Sequence, residues 1–178
     1  MVAEAVRGGV RFVLLRERDL DDTAFARLAE RLAGALPRDG TLSIHGRPAV
    51  AAALRAGLHL PEGAPPPPAG TSWHGRSVHG SEAASRARRD GAAYMVAGTI
   101  FPSVGKPGVP PAGARGLRAM CAAARPVPVY AIGGLSTARA GEVRAAGAHG
   151  VAVVGAILEA DAPEAAARAL VDALAALD

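Results

Sequence analysis

The sequence predicts one α/β domain of the TIM-type (β/α) barrel class, and three observations predict it. Short apolar runs alternate with Ala-rich amphipathic stretches along all 178 residues, the pattern of parallel strands joined by right-handed crossovers. The length suits one domain rather than two. Glycines cluster after the last apolar runs, and no Gly-x-Gly-x-x-Gly follows the first, which places a barrel ahead of a doubly wound open sheet.

The elements follow in order. Residues 3–8 read as a helix leading into a buried strand at 11–16. A helix over 19–36 carries Leu20, Phe25, Leu28, Leu32 and Leu36 at helical spacing, with Asp21, Asp22 and Thr23 as start signals. Strand 41–44, a short helix at 48–56 and a brief strand at 58–60 come next. The prolines at 65–68 form a stiff surface loop rather than a domain linker, because the alternation resumes beyond them. Residues 77–78 belong to a short strand, 81–90 to a helix opened by Ser81, 94–97 to a strand and 102–113 to a Gly/Pro-rich loop. Helix 117–124, strand 127–132, helix 137–146, strand 150–154 and a closing helix at 163–177, with Pro163 in its first turn, complete the chain.

Seven strands and seven helices are counted, whereas a closed barrel has eight of each. The domain, 1–178, is therefore expected to be N-terminally incomplete, lacking its first βα unit. An open seam is expected between the 11–16 and 150–154 strands, with Phe12, Val13, Val151 and Val153 facing partly toward solvent.

Composition narrows the function classes. Half of the chain is hydrophobic but only 3% is aromatic, so the core is built from Ala, Val, Leu and Ile. The basic residues behind the net charge of +4 are scattered, which argues against nucleic acid as a partner. The single cysteine, Cys121, excludes an internal disulfide framework and fits a cytoplasmic protein; a small buried apolar role suits it better than a nucleophile's. No apolar run is long enough for a membrane span, and the N-terminus lacks the apolar region of a signal peptide.

Barrels of this class place function at the C-terminal ends of the strands, with phosphate often bound at the last two. Gly133 and Gly134 end the penultimate strand and let backbone approach a ligand. Gly155 and Ala156 open a helix after the last strand, whose free N–H groups favour an anion. The alternative is that these glycines only make tight turns. Lys106 is the one lysine among 20 basic residues and sits in a Gly-rich loop, where an ammonium suits a phosphate or pyrophosphate; a merely solvated lysine is the alternative. Arg16 and Arg18, at the end of the first strand, suit the same anion, or else pair with Glu17 or Asp19. His45 and His79, just past strand ends, are the candidate acid/base residues, and His59 and His149 read as structural. No carboxylate cluster marks a metal site.

At these residues the sequence resembles the thiamine phosphate synthase/TenI family. The matching stretches are Leu-Leu-Arg-Glu-Arg (14–18), His-Gly-Arg (45–47), His-Leu-Pro (59–61), Gly-Arg-Ser-Val-His (75–79), Gly-Thr-Ile-Phe-Pro-Ser-x-x-Lys-Pro-Gly (98–108), Ala-Ile-Gly-Gly-Leu (131–135) and Ala-Gly-Ala-His-Gly-Val-Ala-Val-Val (146–154). The resemblance implies a barrel, usually dimeric, that binds a thiazole phosphate, with Thr99 joining the ligand-binding residues. Synthase members join that ester to a pyrimidine pyrophosphate, with Mg²⁺ held by two aspartates. TenI-like members include thiazole tautomerases, which need no metal. Here His45-Gly46 stands where synthases have Asn-Asp, and Pro61-Glu62-Gly63-Ala64 lacks the second aspartate. The expectation is thus a TenI-like protein without cofactor, with tautomerase the leading activity. The alternatives are a true synthase, which would bring Mg²⁺, and a non-catalytic regulatory barrel that binds phosphate esters. The tautomerase's characteristic histidine is replaced by Thr99, which leaves proton transfer to His45 or His79.

Overall fold

The computed structural model describes residues 1–103 and 108–177. Seven parallel strands form one sheet in sequence order: β1 (Phe12–Leu15), β2 (Thr41–His45), β3 (Gly57–Leu60), β4 (His74–Val78), β5 (Tyr94–Gly98), β6 (Val129–Ile132) and β7 (Gly150–Ala152). Around them lie α1 (Val2–Arg7), α2 (Asp22–Ala35), α3 (Pro48–Ala53), α4 (Ser81–Arg89), α5 (Gly113–Ala124), α6 (Ala140–Ala145), α7 (Gly155–Leu158) and α8 (Pro163–Ala175). Among the described residues, no helix is long and apolar enough to cross a membrane.

The sheet is curled, and its rings show this directly. Phe12 of β1 pairs only along β2, yet its ring lies 4.8 Å from that of Tyr94 on β5 and 5.7 Å from that of Tyr130 on β6. Such contacts require a lumen with these strands on opposite walls. A chain with six aromatic residues thus puts four of them, Phe12, Trp73, Tyr94 and Tyr130, inside the barrel. Glycines make the room. A methyl at Gly57 would overlap the Trp73 ring, and one at Gly75 the Tyr94 ring. The outer layer is mainly aliphatic: Phe25 and Ala29 of α2 cover Leu15, Leu42, Ile44 and Leu58, while a larger cluster lies beneath α4, α5 and α6.

The sheet ends at β1 on one side and β7 on the other, with no ladder between them among the described residues, so the seam is open as expected. Phe12, Val13, Val151 and Val153 are half-buried. Outside the seam, α1 packs on α8 and touches α7, and Ala5, Ile157, Ala167 and Leu170 form a small core there.

The helices do not follow the strands one for one. No helix follows β3, because the prolines at 65–68 lack N–H donors and break helical geometry. Two helices, α7 and α8, follow β7 instead. Strand β4 begins at His74 rather than at 77, since Gly75 and Ser77 on its lumen face leave no alternating apolar signal. Strand β6 begins at Val129 rather than 127, after Pro126 and Pro128, which cannot donate to a ladder. Strand β7 stops at Ala152. The 19–36 helix starts at Asp22, with the Asp21 carboxylate accepting from Ala24 N–H at 2.8 Å. Helix α4 begins at Ser81 without a side-chain cap.

Candidate active site

The sequence-predicted residues fall at one end of the barrel. Arg16 follows β1, His45 ends β2, His79 follows β4, Thr99 follows β5, and the glycine pairs follow β6 and β7. Lys106 lies outside the described residues. Parallel strands give all these positions the same end, the one where βα loops meet.

Below that mouth lies a buried polar chain. The register pairs His45 with His59 and His59 with Gly75, so both imidazoles project into the lumen, their ring centres 5.6 Å apart. Tyr94 Oη donates to Ser43 Oγ at 2.9 Å. Its only proton being so used, the phenol oxygen accepts from His59 Nδ1–H at 2.7 Å, and His59 Nε2 accepts from Ser77 Oγ–H at 2.9 Å. His59 is thereby held as one neutral tautomer. Burial, reinforced by His45 and Arg76, drives its pKa down to about 3. Burial also raises the Tyr94 phenol well above its usual value. His45 is lowered too, first by burial and then by the guanidinium charges of Arg16 and Arg18.

The two arginines at the end of β1 differ from Arg47 at the end of β2. Arg47 bonds Asp22 and the Leu20 carbonyl and covers the Phe25 ring at 4.2 Å. Arg16 and Arg18 are exposed, and among the described residues their guanidinium groups show no hydrogen bond or ion pair. Glu17 does not take them; its Oε1 accepts the backbone N–H of Arg18 at 2.8 Å and of Asp19 at 3.3 Å.

His79 is held by Glu62, whose Oε2 accepts from both His79 N–H at 2.8 Å and Nδ1–H at 2.7 Å. Nε2 is left for the mouth. Glu62 is itself fixed by its loop, which Arg76 ties down from beneath. Arg76 is 4% exposed, and its guanidinium donates to the carbonyls of Pro61, Ala64 and Pro65 at 3.3, 2.8 and 3.2 Å. Its Nε and the Nε2 of His74 are buried without a partner among the described residues.

The glycines have structural reasons of their own. Gly133 and Gly134 both have positive φ, 101° and 62°. A methyl on Gly133 would meet Thr99 Cγ2 at 2.5 Å, and one on Gly134 the Pro102 carbonyl and Phe101. Thr99, 5% exposed, thus packs on Gly133, while Phe101 N–H donates to the Gly133 carbonyl at 3.1 Å. Gly155 is freer: a methyl there would meet only the Glu159 carboxyl, at about 3.0 Å. Gly155 and Ala156 open α7, so their N–H groups have no acceptor within the helix.

Sequence reading missed Glu62, Arg76, Tyr94 and Ser77 and set His59 aside as structural. The pairing of His45 with His59 depends on register, and Glu62 reaches His79 across 17 residues. No local motif encodes either. A cavity of about 270 Å³ opens at the opposite end of the barrel, lined by Cys121, Arg125, Arg144 and His149. Burial pushes the Cys121 thiol up to about 11, so it stays protonated and unreactive near neutral pH.

Comparison with known proteins places this geometry. The thiamine monophosphate synthase family model matches residues 1–157. The chain is 37% identical over 172 residues to thiamine-phosphate synthase of Thermus thermophilus, covering 93% of this chain and 84% of that one. It is 39% identical over 186 residues to that of Roseiflexus castenholzii, covering 98% and 80%. The structure of thiamine phosphate pyrophosphorylase from Pyrococcus furiosus superposes with a TM-score of 0.88 at 28% identity, covering 99% of this chain and 88% of that one. 3-Hexulose-6-phosphate synthase, at 23% identity and a TM-score of 0.74, shares the fold. With its curled parallel sheet and its glycine turns on β6 and β7, the chain belongs to the thiamine monophosphate synthase family.

Proposed function

We propose that this protein is a transferase of thiamine biosynthesis that joins a thiazole phosphate to a pyrimidine pyrophosphate, releasing pyrophosphate. The observation that carries this reading is the synthase name of relatives 36–39% identical over more than nine-tenths of this chain. It favours the transferase over the tautomerase expected from the motifs. The mouth supports it in kind. Gly155 and Ala156 offer backbone donors to the ester phosphate, and Arg16 and Arg18 offer charge to a second anionic group. Thr99, Gly133 and Gly134 shape the floor between them.

Mg²⁺, which the synthase reading brings, does not fit the donor set. Glu62 is bonded to His79, Asp22 to Arg47, Asp21 caps α2, and Glu17 caps its own turn. Asp19, after β1, and Glu159, beside Gly155, remain, and they do not make up for the pair of aspartates lost after β2 and β3. Among the described residues, no group of three or more His, Cys, Asp or Glu side chains could hold a metal.

A specific observation keeps the tautomerase as second reading. His45, with its lowered proton affinity, is a neutral base at the mouth near neutral pH. One assay decides: the protein is incubated with thiazole phosphate, with and without the pyrimidine pyrophosphate, and thiamine phosphate and thiazole isomers are quantified. Thiamine phosphate formation supports the transferase. Isomerisation without the pyrimidine, reduced about a hundredfold by His45→Ala, replaces it with the tautomerase; a loss with His79→Ala instead moves the base to His79. Binding of thiazole phosphate with neither product leaves a regulatory barrel.

A further inference from the structure

We propose that the mouth binds a diphosphate directly through the guanidinium groups of Arg16 and Arg18, with no bridging divalent cation. This rests on the reading of the mouth as a phosphate-ester site.

Three observations converge. First, where the family resemblance places metal-binding aspartates, the chain has His45-Gly46 after β2 and Pro61-Glu62-Gly63-Ala64 after β3, and Glu62 already holds His79 through two hydrogen bonds. Second, the free cations stand at the same rim. Arg16 directly follows Leu15, whose register partner is Ile44, so it lies beside His45, and Arg18 lies two residues on. Third, their charge is kept available. Glu17 sits between them in sequence yet turns its carboxylate onto backbone N–H groups, whereas the neighbouring Arg47 is occupied by Asp22, a carbonyl and an aromatic face.

A divalent cation between two aspartates is electrically neutral as a set, so losing all three leaves the mouth no less attractive to an anion. Guanidinium forks then supply the bidentate donors that suit phosphate oxygens. His45 feels the same two charges, which lower its proton affinity after burial has done so.

The test is calorimetric titration of the whole chain with inorganic pyrophosphate, in EDTA and in Mg²⁺. Affinity in EDTA should equal or exceed that in Mg²⁺, since free Mg²⁺ competes for the ligand. Arg16→Ala and Arg18→Ala should each weaken it about tenfold or more, the loss of a charge-assisted contact, with unchanged thermal melts. Binding only with Mg²⁺ overturns the proposal and leaves the transferase reading standing. No binding in either buffer also overturns it, as does wild-type affinity in both arginine variants. The product assay above judges the transferase reading separately.

Discussion

Tyr94 on β5 and His59 on β3 meet across β4, phenol oxygen to Nδ1 at 2.7 Å, in a space opened by the missing side chain of Gly75. Because Tyr94 donates onward to Ser43, the pair fixes the direction of every hydrogen bond from Ser77 to Ser43. Tyr94→Phe should leave His59 Nδ1–H and Ser43 without their partner. Urea unfolding should show a loss of about 1–3 kcal/mol, the cost of buried unsatisfied groups. A loss below about 0.5 kcal/mol would show that the chain does not hold the lumen together.

The same histidine makes stability depend on pH. Its folded pKa of about 3 lies below the unfolded value of about 6.5. The unfolded state therefore binds the extra proton, and His59's contribution, complete above about pH 6.5, is lost as pH falls toward 3. His45 and His74, both lowered chiefly by burial, act in the same direction. Denaturation midpoints should fall between pH 7 and pH 5, with His59 alone adding at most about 1.4 kcal/mol per pH unit. His59→Gln should flatten that slope; an unchanged slope would remove His59 as its source.

The glycine turns respond differently to substitution. Gly134→Val introduces a β-branched residue at φ 62° against the Pro102 carbonyl, so it should lower the melting temperature sharply and cannot report on a ligand alone. Gly155→Ala displaces only the flexible end of Glu159, and stability should stay within about 1 kcal/mol. If the phosphate sits at α7, Gly155→Ala should weaken thiazole-phosphate binding in a folded protein. Unchanged affinity would move the phosphate elsewhere.

Arg76 holds the 61–65 segment by three carbonyls, and Glu62 rides on that segment. Arg76→Met keeps the bulk and removes the donors. Hydrogen exchange should rise across 61–73 while β1 and β2 stay protected, and the fold should lose about 1–3 kcal/mol. Unchanged exchange in the loop would show that its prolines alone keep it in place.

The seam should be visible in the same experiment. Amides of β1 and β7 that point away from β2 and β6 have no strand opposite them. They should exchange faster than those of β4 and β5, which are paired on both sides. Equal protection would mean that another chain covers these edges in solution.

The order of elements, the seven strands, the open seam and the glycine turns were legible in the sequence by itself, because each depends on local periodicity or on residues with special backbone freedom. So was the loop after β3, where four consecutive prolines exclude a helix and interrupt the βα alternation. Only tertiary structure decided what the lumen does. Whether His59 touches Tyr94, Glu62 touches His79, or Arg16 stays free while Arg47 is bound depends on strand register and on which wall faces which. These contacts join residues 17 to 35 positions apart. Composition and spacing carry no record of such pairings; the curl of the sheet creates them.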